Sequence, residues 1–378
     1  MKKVMYIHHG DVIGGAPRSL KFLLSRLDKT VYSPTVVCRA NPNDTTFFED
    51  DGIKTIYCKE IRPFNCSTVS GMTFKKAIYN FVYAPSTFFA TKRLIRENNP
   101  SILHLNSTCL FMCAKAAKKV NPGIKVICHV REPLLKGWSG IIARYMCNKY
   151  CDRFVSIDEF DGRSVDRKLI KTNVVYNFVD LKEYSYTLQS NVLRDELSIP
   201  SDAIIFLVLA RVTPSNGILE VIKKWKQSQI GKNRYLVIVG EKIGPKSPYM
   251  QKCHDEANGI DNIHILPFRS DVTKVIASSD IALCPFTEPH FARAIIECAA
   301  MGKPSLANWI DGPKELIKDG ETGLFYYDEG KGPTFEEQVE RLSIDKKLRA
   351  LLGQNAIQFA TACFNADINA DKTFSVYQ

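Results

Sequence analysis

Short apolar runs separated by polar stretches recur along the whole chain, and their spacing alternates between two periods. Residues 4–9 (VMYIHH) read as a strand, and beyond the glycine-bearing turn HGDVIGG the apolar positions take helical spacing over 19–27. Further strand-like runs fall at 35–38, 54–58, 102–105, 125–129, 154–157 and 173–175, with helical patterns between most of them. The alternation restarts with AIIFLVLAR at 203–211 and a helix through Trp225. YLVIVG at 235–240, a strand at 263–266 and the run IALCPF at 281–286 follow. Strands that alternate with helices and are apolar on both faces predict parallel α/β sheets, with ligand sites at the carboxyl ends of the strands. The polar stretch 181–200, ending in IPSD, reads as a linker between two such halves. The halves share this architecture without an internal sequence repeat.

Length agrees, since 378 residues are too many for one small core and two domains are the default. Hydrophobic and charged fractions of 45% and 24% are ordinary for a globular chain. At the start, two lysines and then four apolar residues before His8 are too few for a signal-peptide core, and no run approaches a membrane-spanning length. A cytosolic protein is therefore expected. Eight of the 12 cysteines precede Asp152, mostly within apolar runs, which predicts reduced thiols packed as small hydrophobes. Cys109/Cys113 and Cys147/Cys151 each have one-turn helical spacing, but without C-x-x-C or a flanking histidine the spacing points to packing rather than metal.

With 51 basic and 40 acidic residues the formal net charge is +11, which favours an anionic partner: nucleic acid, anionic lipid or a phosphorylated substrate. No motif that reads RNA or DNA accompanies the basic residues, and a merely soluble basic surface is the alternative. Residues 72–98 mix aromatics with Lys75, Lys76, Lys92, Arg93 and Arg96. Short helices of this composition suit a membrane surface, and equally suit core-facing helices with solvated charges.

The chemistry concentrates at 284–304, CPFTEPHFARAIIECAAMGKP. A buried strand breaks at Pro285 into a loop carrying Glu288. Ala294, Ile295, Cys298, Ala299 and Met301 then form a helical stripe, stopped by Gly302-Lys303-Pro304. A helix N-terminus at the carboxyl end of a parallel strand offers free N–H groups and a positive dipole end, both suited to phosphate. With Glu288 on the loop and Glu297 within the helix, the ligand suggested is a sugar nucleotide. The plainer reading is a carboxylate pair around a turn, with Glu297 on the helix's wet face.

This run resembles the E-P-F-G-x-x-x-x-E signature, followed by A-M-A-x-G-x-P, of the family 4 retaining glycosyltransferases of the GT-B fold. His290 is an extra residue, so the two acids stand nine positions apart instead of eight. The resemblance implies that Glu288 lies by the donor sugar as a catalytic residue and that Glu297 holds the ribose hydroxyls. The backbone of Phe291, Ala292 and Arg293 would take the diphosphate. It extends to Gly14 and Gly15, matching the family's G-G-A/V loop on the donor diphosphate, although a glycine needed only to make the turn is as common. CHVREP resembles the strand-end segment that reaches the donor sugar, implying a catalytic role for His129 and an acceptor-side one for Arg131. Arg211 matches the family's strand-end arginine, with a catalytic charge-stabilising and donor-binding role. Asn216 stands where a K-G lysine is usual, which makes Arg293 the candidate to supply the missing cation. Phe268 and Arg269, in PFRSD, fall among the donor-binding positions.

VYNFVDLKEY resembles the family's I-P-N-G-V-D hinge, and 311–326 its G-G-x-x-E-x-I-x-D-G-x-T-G-x-L segment. The resemblance implies two Rossmann-like domains facing across a cleft: 1–180 for the acceptor, 201–355 for the nucleotide sugar, the linker between, and a helix at 356–378 returning to the first domain. It further implies transfer with retention to a glycan or polyprenyl-linked acceptor, in surface polysaccharide assembly, with no cofactor. The absence of D-x-D argues against a metal clamp, leaving cationic side chains and helix amides to neutralise the leaving diphosphate. Two other readings stay open at this stage, a GT-B-type nucleotide-sugar epimerase and a non-catalytic relative that only binds.

Overall fold

The strand-like runs pair side by side into two wholly parallel sheets. The computed structural model describes residues 1–378 except 11–14, 41–46, 69, 229–230, 232, 290 and 329. Two units result: Met1–Asn177 with Ala366–Gln378, and Phe178–Asn365.

In the first unit the strands are β1 (Lys2–Ile7), β2 (Tyr32–Cys38), β3 (Lys54–Tyr57), β4 (Ile102–Leu105), β5 (Lys125–Val130), β6 (Arg153–Ser156) and β7 (Thr172–Val174). They lie in the order β3-β2-β1-β4-β5-β6-β7. The connecting helices are α1 (Gly15–Leu24), α2 (Phe74–Asn98), α3 (Phe111–Val120), α4 (Trp138–Tyr150) and α5 (Glu159–Val165). Period-two alternation assigns the two faces: Val4 and Tyr6 of β1 join one core layer with Leu20 and Leu24, while Met5 and Ile7 join the other with Leu94, Leu103 and Leu105.

The stretch 72–98 forms one 25-residue helix, where short helices were expected. Thr73 caps its start by accepting from the Lys76 N–H, and Asn99 in a left-handed conformation (φ 44°) ends it. The core-facing reading holds for one face, and the other face is exposed. Asn80, Thr87, Ala90, Thr91, Leu94 and Ile95 are buried, whereas Phe74, Ile78, Phe81, Val82 and Phe89 are exposed.

In the second unit the strands are β8 (Ile204–Leu209), β9 (Arg234–Glu241), β10 (Ile263–Pro267), β11 (Ile281–Cys284), β12 (Ser305–Asn308) and β13 (Gly323–Tyr326), in the order β10-β9-β8-β11-β12-β13. The helices are α6 (Val192–Leu197), α7 (Ile218–Gln227), α8 (Pro248–Ala257), α9 (Val272–Ala277), α10 (Arg293–Ala300), α11 (Pro313–Leu316), α12 (Phe335–Ile344) and α13 (Lys346–Cys363). The polar stretch 181–200 lies inside this unit, because α6 buries Leu193 against Ile205 and Val275. β11 stops at Cys284, two residues short of the apolar run, where Pro285 has no N–H for a ladder. The last helix, α14 (Ala366–Ser375), belongs to the first unit, where Val376 and Tyr377 pack beside Val4, Tyr6 and Tyr32.

Candidate active site

Each sheet reverses its strand order once, between β1 and β4 in the first unit and between β8 and β11 in the second. Strand ends beside such a reversal leave a crevice, since their connections depart in opposite directions.

In the second unit two loops are tied together there. Thr287, after β11, donates from its amide to the Ser215 carbonyl (3.0 Å) and from its hydroxyl to that of Pro214 (2.9 Å). Gly217 permits this approach: its φ is +67°, and a Cβ would lie 1.8 Å from the Pro285 oxygen. Asn216 is buried and donates from Nδ2 to the carbonyl of Arg211 (2.8 Å), so this amide closes the loop that carries it. Arg211 and Glu288 are both exposed at the strand ends. Phe291 precedes Ala292, the N-cap of α10, which offers no side-chain cap to the helix's first amides. His290 lies outside the described residues.

Glu297 is not on a wet face. Ile295, Ile296, Cys298, Ala299 and Ala300 around it are all buried, and it is itself 8% exposed. Arg293 donates from Nε to its Oε1 (3.1 Å), and the hydroxyl of Tyr184 lies near it. Burial pushes the Glu297 carboxyl above its ordinary value, against the lowering effect of Arg293. Burial, and then the charge of Glu297, push the Tyr184 hydroxyl up in turn. Arg293 also reaches the Phe178 carbonyl with Nη2 (3.5 Å). The cation expected on the diphosphate thus makes its contacts with Glu297 and the backbone. Phe268 is exposed at the end of β10, its amide donating to Glu241 (2.8 Å). Arg269 pairs with Asp271 through Nε (2.9 Å) and Nη2 (2.8 Å), and with Glu196 through Nη1.

In the first unit the strand ends carry a chain of polar groups. Arg131, just after β5, donates from Nε to Oδ1 of Asn106 (2.8 Å), just after β4. A guanidinium only donates, so the amide oxygen must face it. Nδ2 of Asn106 then donates to Nδ1 of His8 (3.0 Å), leaving the His8 proton on Nε2. Nη2 of Arg131 lies 3.5 Å from Nδ1 of His129, whose ring is 5.6 Å from that of His104. His104 Nδ1 meets the hydroxyl of Tyr377 (2.6 Å), which donates to that of Tyr6 (2.9 Å).

Burial first, and then the charge of Arg131, push His9 down to about 4 and His104 to about 3, and hold His129 well below its ordinary value. These imidazoles are neutral at physiological pH and suited to hydrogen bonding with hydroxyl groups. Gly14 lies outside the described residues; Gly15 is the first residue of α1.

The sequence reading missed His8, Asn106, Tyr184 and Glu132, whose carboxyl burial pushes up beside Ser67, Cys109 and Ser107. Asn106 could have been found from its place directly after the strand at 102–105. Tyr184 carries no such local sign.

Solved structures share this architecture along its length. That of Anabaena HepE in complex with UDP has 18% sequence identity and a TM-score of 0.79, covering 100% of this chain and 99% of that one. The two parallel α/β units have the GT-B fold. The family description "Glycosyltransferase Family 4" matches residues 13–183, and "Glycosyl transferases group 1" matches 189–359. The chain belongs to this glycosyltransferase family.

Among curated relatives, an alpha-D-kanosaminyltransferase of Streptomyces kanamyceticus is 26% identical over 47% of this chain and 46% of its own length. In such matches the chain spans about half the length of the relative. The UDP-Gal:alpha-D-GlcNAc-diphosphoundecaprenol alpha-1,3-galactosyltransferase of Escherichia coli is 20% identical over 99% of this chain and 96% of its own length. These relatives bear the names of sugar-transferring enzymes and lend the epimerase reading no support.

Proposed function

We propose that the protein moves a sugar from a nucleotide-sugar donor to a lipid-linked glycan acceptor in surface polysaccharide assembly, with retention and without a metal ion. The observation that carries this is the buried, hydrogen-bonded Glu297 on the helix whose uncapped N-terminus follows the strand reversal of the second unit. An ionised carboxylate there accepts from ribose hydroxyls, the α10 amides take the diphosphate, and exposed Arg211 adds charge to the leaving group. Glu288 acts at the donor sugar. Asn216 shapes the loop, and Arg293 positions Glu297. In the first unit, neutral His129 and the fixed Arg131 bind sugar hydroxyls by hydrogen bonds. Phe268 borders the nucleotide, and Arg269 braces its loop. Relatives that transfer to undecaprenyl-linked sugars support the acceptor class.

Purified protein given candidate UDP-sugars should yield product only when a polyprenyl-diphosphate-linked acceptor is added, with the donor's anomeric configuration kept. Donor turnover without acceptor, or an inverted product, would refute the reading. EDTA added at the assay should leave the rate unchanged, and magnesium or manganese should not raise it.

The acceptor's lipid implies a membrane surface, and α2 and α4 supply a face for one. Phe74, Ile78, Phe81, Val82 and Phe89 of α2 are exposed, as are Trp138, Ile141, Ile142 and Tyr145 of α4. The rings of Phe81 and Trp138 stack at 5.8 Å, joining the two helices' outer surfaces. Lys75, Arg93 and Arg96 on α2 are exposed as well, a composition that suits an anionic interface. The protein reaches its acceptor by resting this face on the bilayer. Among the described residues no helix is long and apolar enough to cross a membrane.

A further inference from the structure

Three cysteine sulfurs meet in the core of the first unit. Cys128 is on β5, Cys147 in the last turn of α4 and Cys151 at that helix's C-cap. All three are buried, and their Sγ atoms lie within 4.8 Å of one another. Local geometry explains the convergence. Positions four apart on a helix share a face, and Cys128 shares with Val126 and Val130 the side of β5 that looks toward α4.

Three points with that spacing have a common centre no more than about 2.8 Å from each, against a zinc–thiolate bond of about 2.3 Å. Small side-chain rotations close the difference. Thiolates select soft ions over magnesium or calcium. Charge narrows the choice further, because three thiolates leave one negative charge around a divalent ion and two around a monovalent one. One buried charge can be offset here. Lys171 donates from Nζ to the carbonyls of Asn148 (2.9 Å) and Cys151 (3.5 Å), at the end of α4 next to the cluster.

We propose that Cys128, Cys147 and Cys151 form a three-thiolate site for a soft divalent ion of the zinc type. The ion displaces three thiol protons and ties β5 to the end of α4. It thereby steadies the strand whose end carries His129 and Arg131.

The test uses the full chain, purified with reductant, stripped by a chelator and titrated with cobalt(II) and zinc(II). About one ion should bind per chain, with a sulfur-to-cobalt charge-transfer band that zinc abolishes and a melting temperature several degrees higher. Cys128→Ala and Cys147→Ala should lose both signals, while Cys113→Ala, in the same core outside the cluster, keeps them. Should Cys128→Ala fail to fold, the unaltered chain still decides. No charge-transfer band and no thermal shift in the freshly reduced chain would overturn the site, as would equal loss of the band in Cys113→Ala.

Discussion

Glu297 is an acid held against its own desolvation. Burial favours its neutral form, Arg293 favours the ionised one, and burial prevails. Ribose hydroxyls need an ionised acceptor, so nucleotide affinity should fall as pH drops through this raised value, at a higher pH than an ordinary glutamate would give. Calorimetric titration from about pH 8 to about pH 5 should show the decline, and Glu297→Gln should remove it while weakening binding roughly 10- to 100-fold. The linkage has the opposite sense for folding. A carboxyl raised in the folded state costs stability once pH exceeds its folded value, so the glutamine variant should melt no lower than the parent at neutral pH. Removing the cation with Arg293→Ala should shift the acid limb of nucleotide binding to still higher pH. An unchanged limb would mean that Arg293 does not act through Glu297.

At the scale of elements, the two loops at the β8–β11 reversal fit only because residue 217 has no side chain. Gly217→Ala must place a Cβ on the Pro285 oxygen at a positive φ, costing more than about 1 kcal/mol. Its melting temperature should fall and its nucleotide affinity with it; parent-like values for both would show that the loops are free to separate. For α2 the outermost apolar residues can be altered without touching the core, whereas Trp138 of α4 also lies edge-on to buried Phe64. The double variant Phe74→Glu, Phe81→Glu should stop flotation with anionic liposomes while leaving the melting temperature within about a degree or two, as surface changes do. Flotation that persists would move the membrane contact elsewhere.

For the molecule as a whole, a net charge of +11 should make vesicle binding weaken with salt, which co-flotation over a salt series measures. The alternation of strands and helices, the two sheets and the neighbourhood of the reversal at 284–304 were legible in the chain itself. Each rests on periodicity, capping and turn chemistry within a few residues, where covalent connection already fixes who the neighbours are. The placement of Glu297 on α10 was legible for the same reason. Its burial was not, because that depends on what the surrounding elements cover. Nor were the partners of longer side chains. Arg293 had a choice between phosphate and carboxylate, Arg269 took Asp271 nearby and Glu196 73 positions away, and His104 took Tyr377 from 273 positions away. Sequence fixes the chemistry such groups can do; only the tertiary structure, by bringing distant chain segments together and excluding water from between them, decides which partner each one meets.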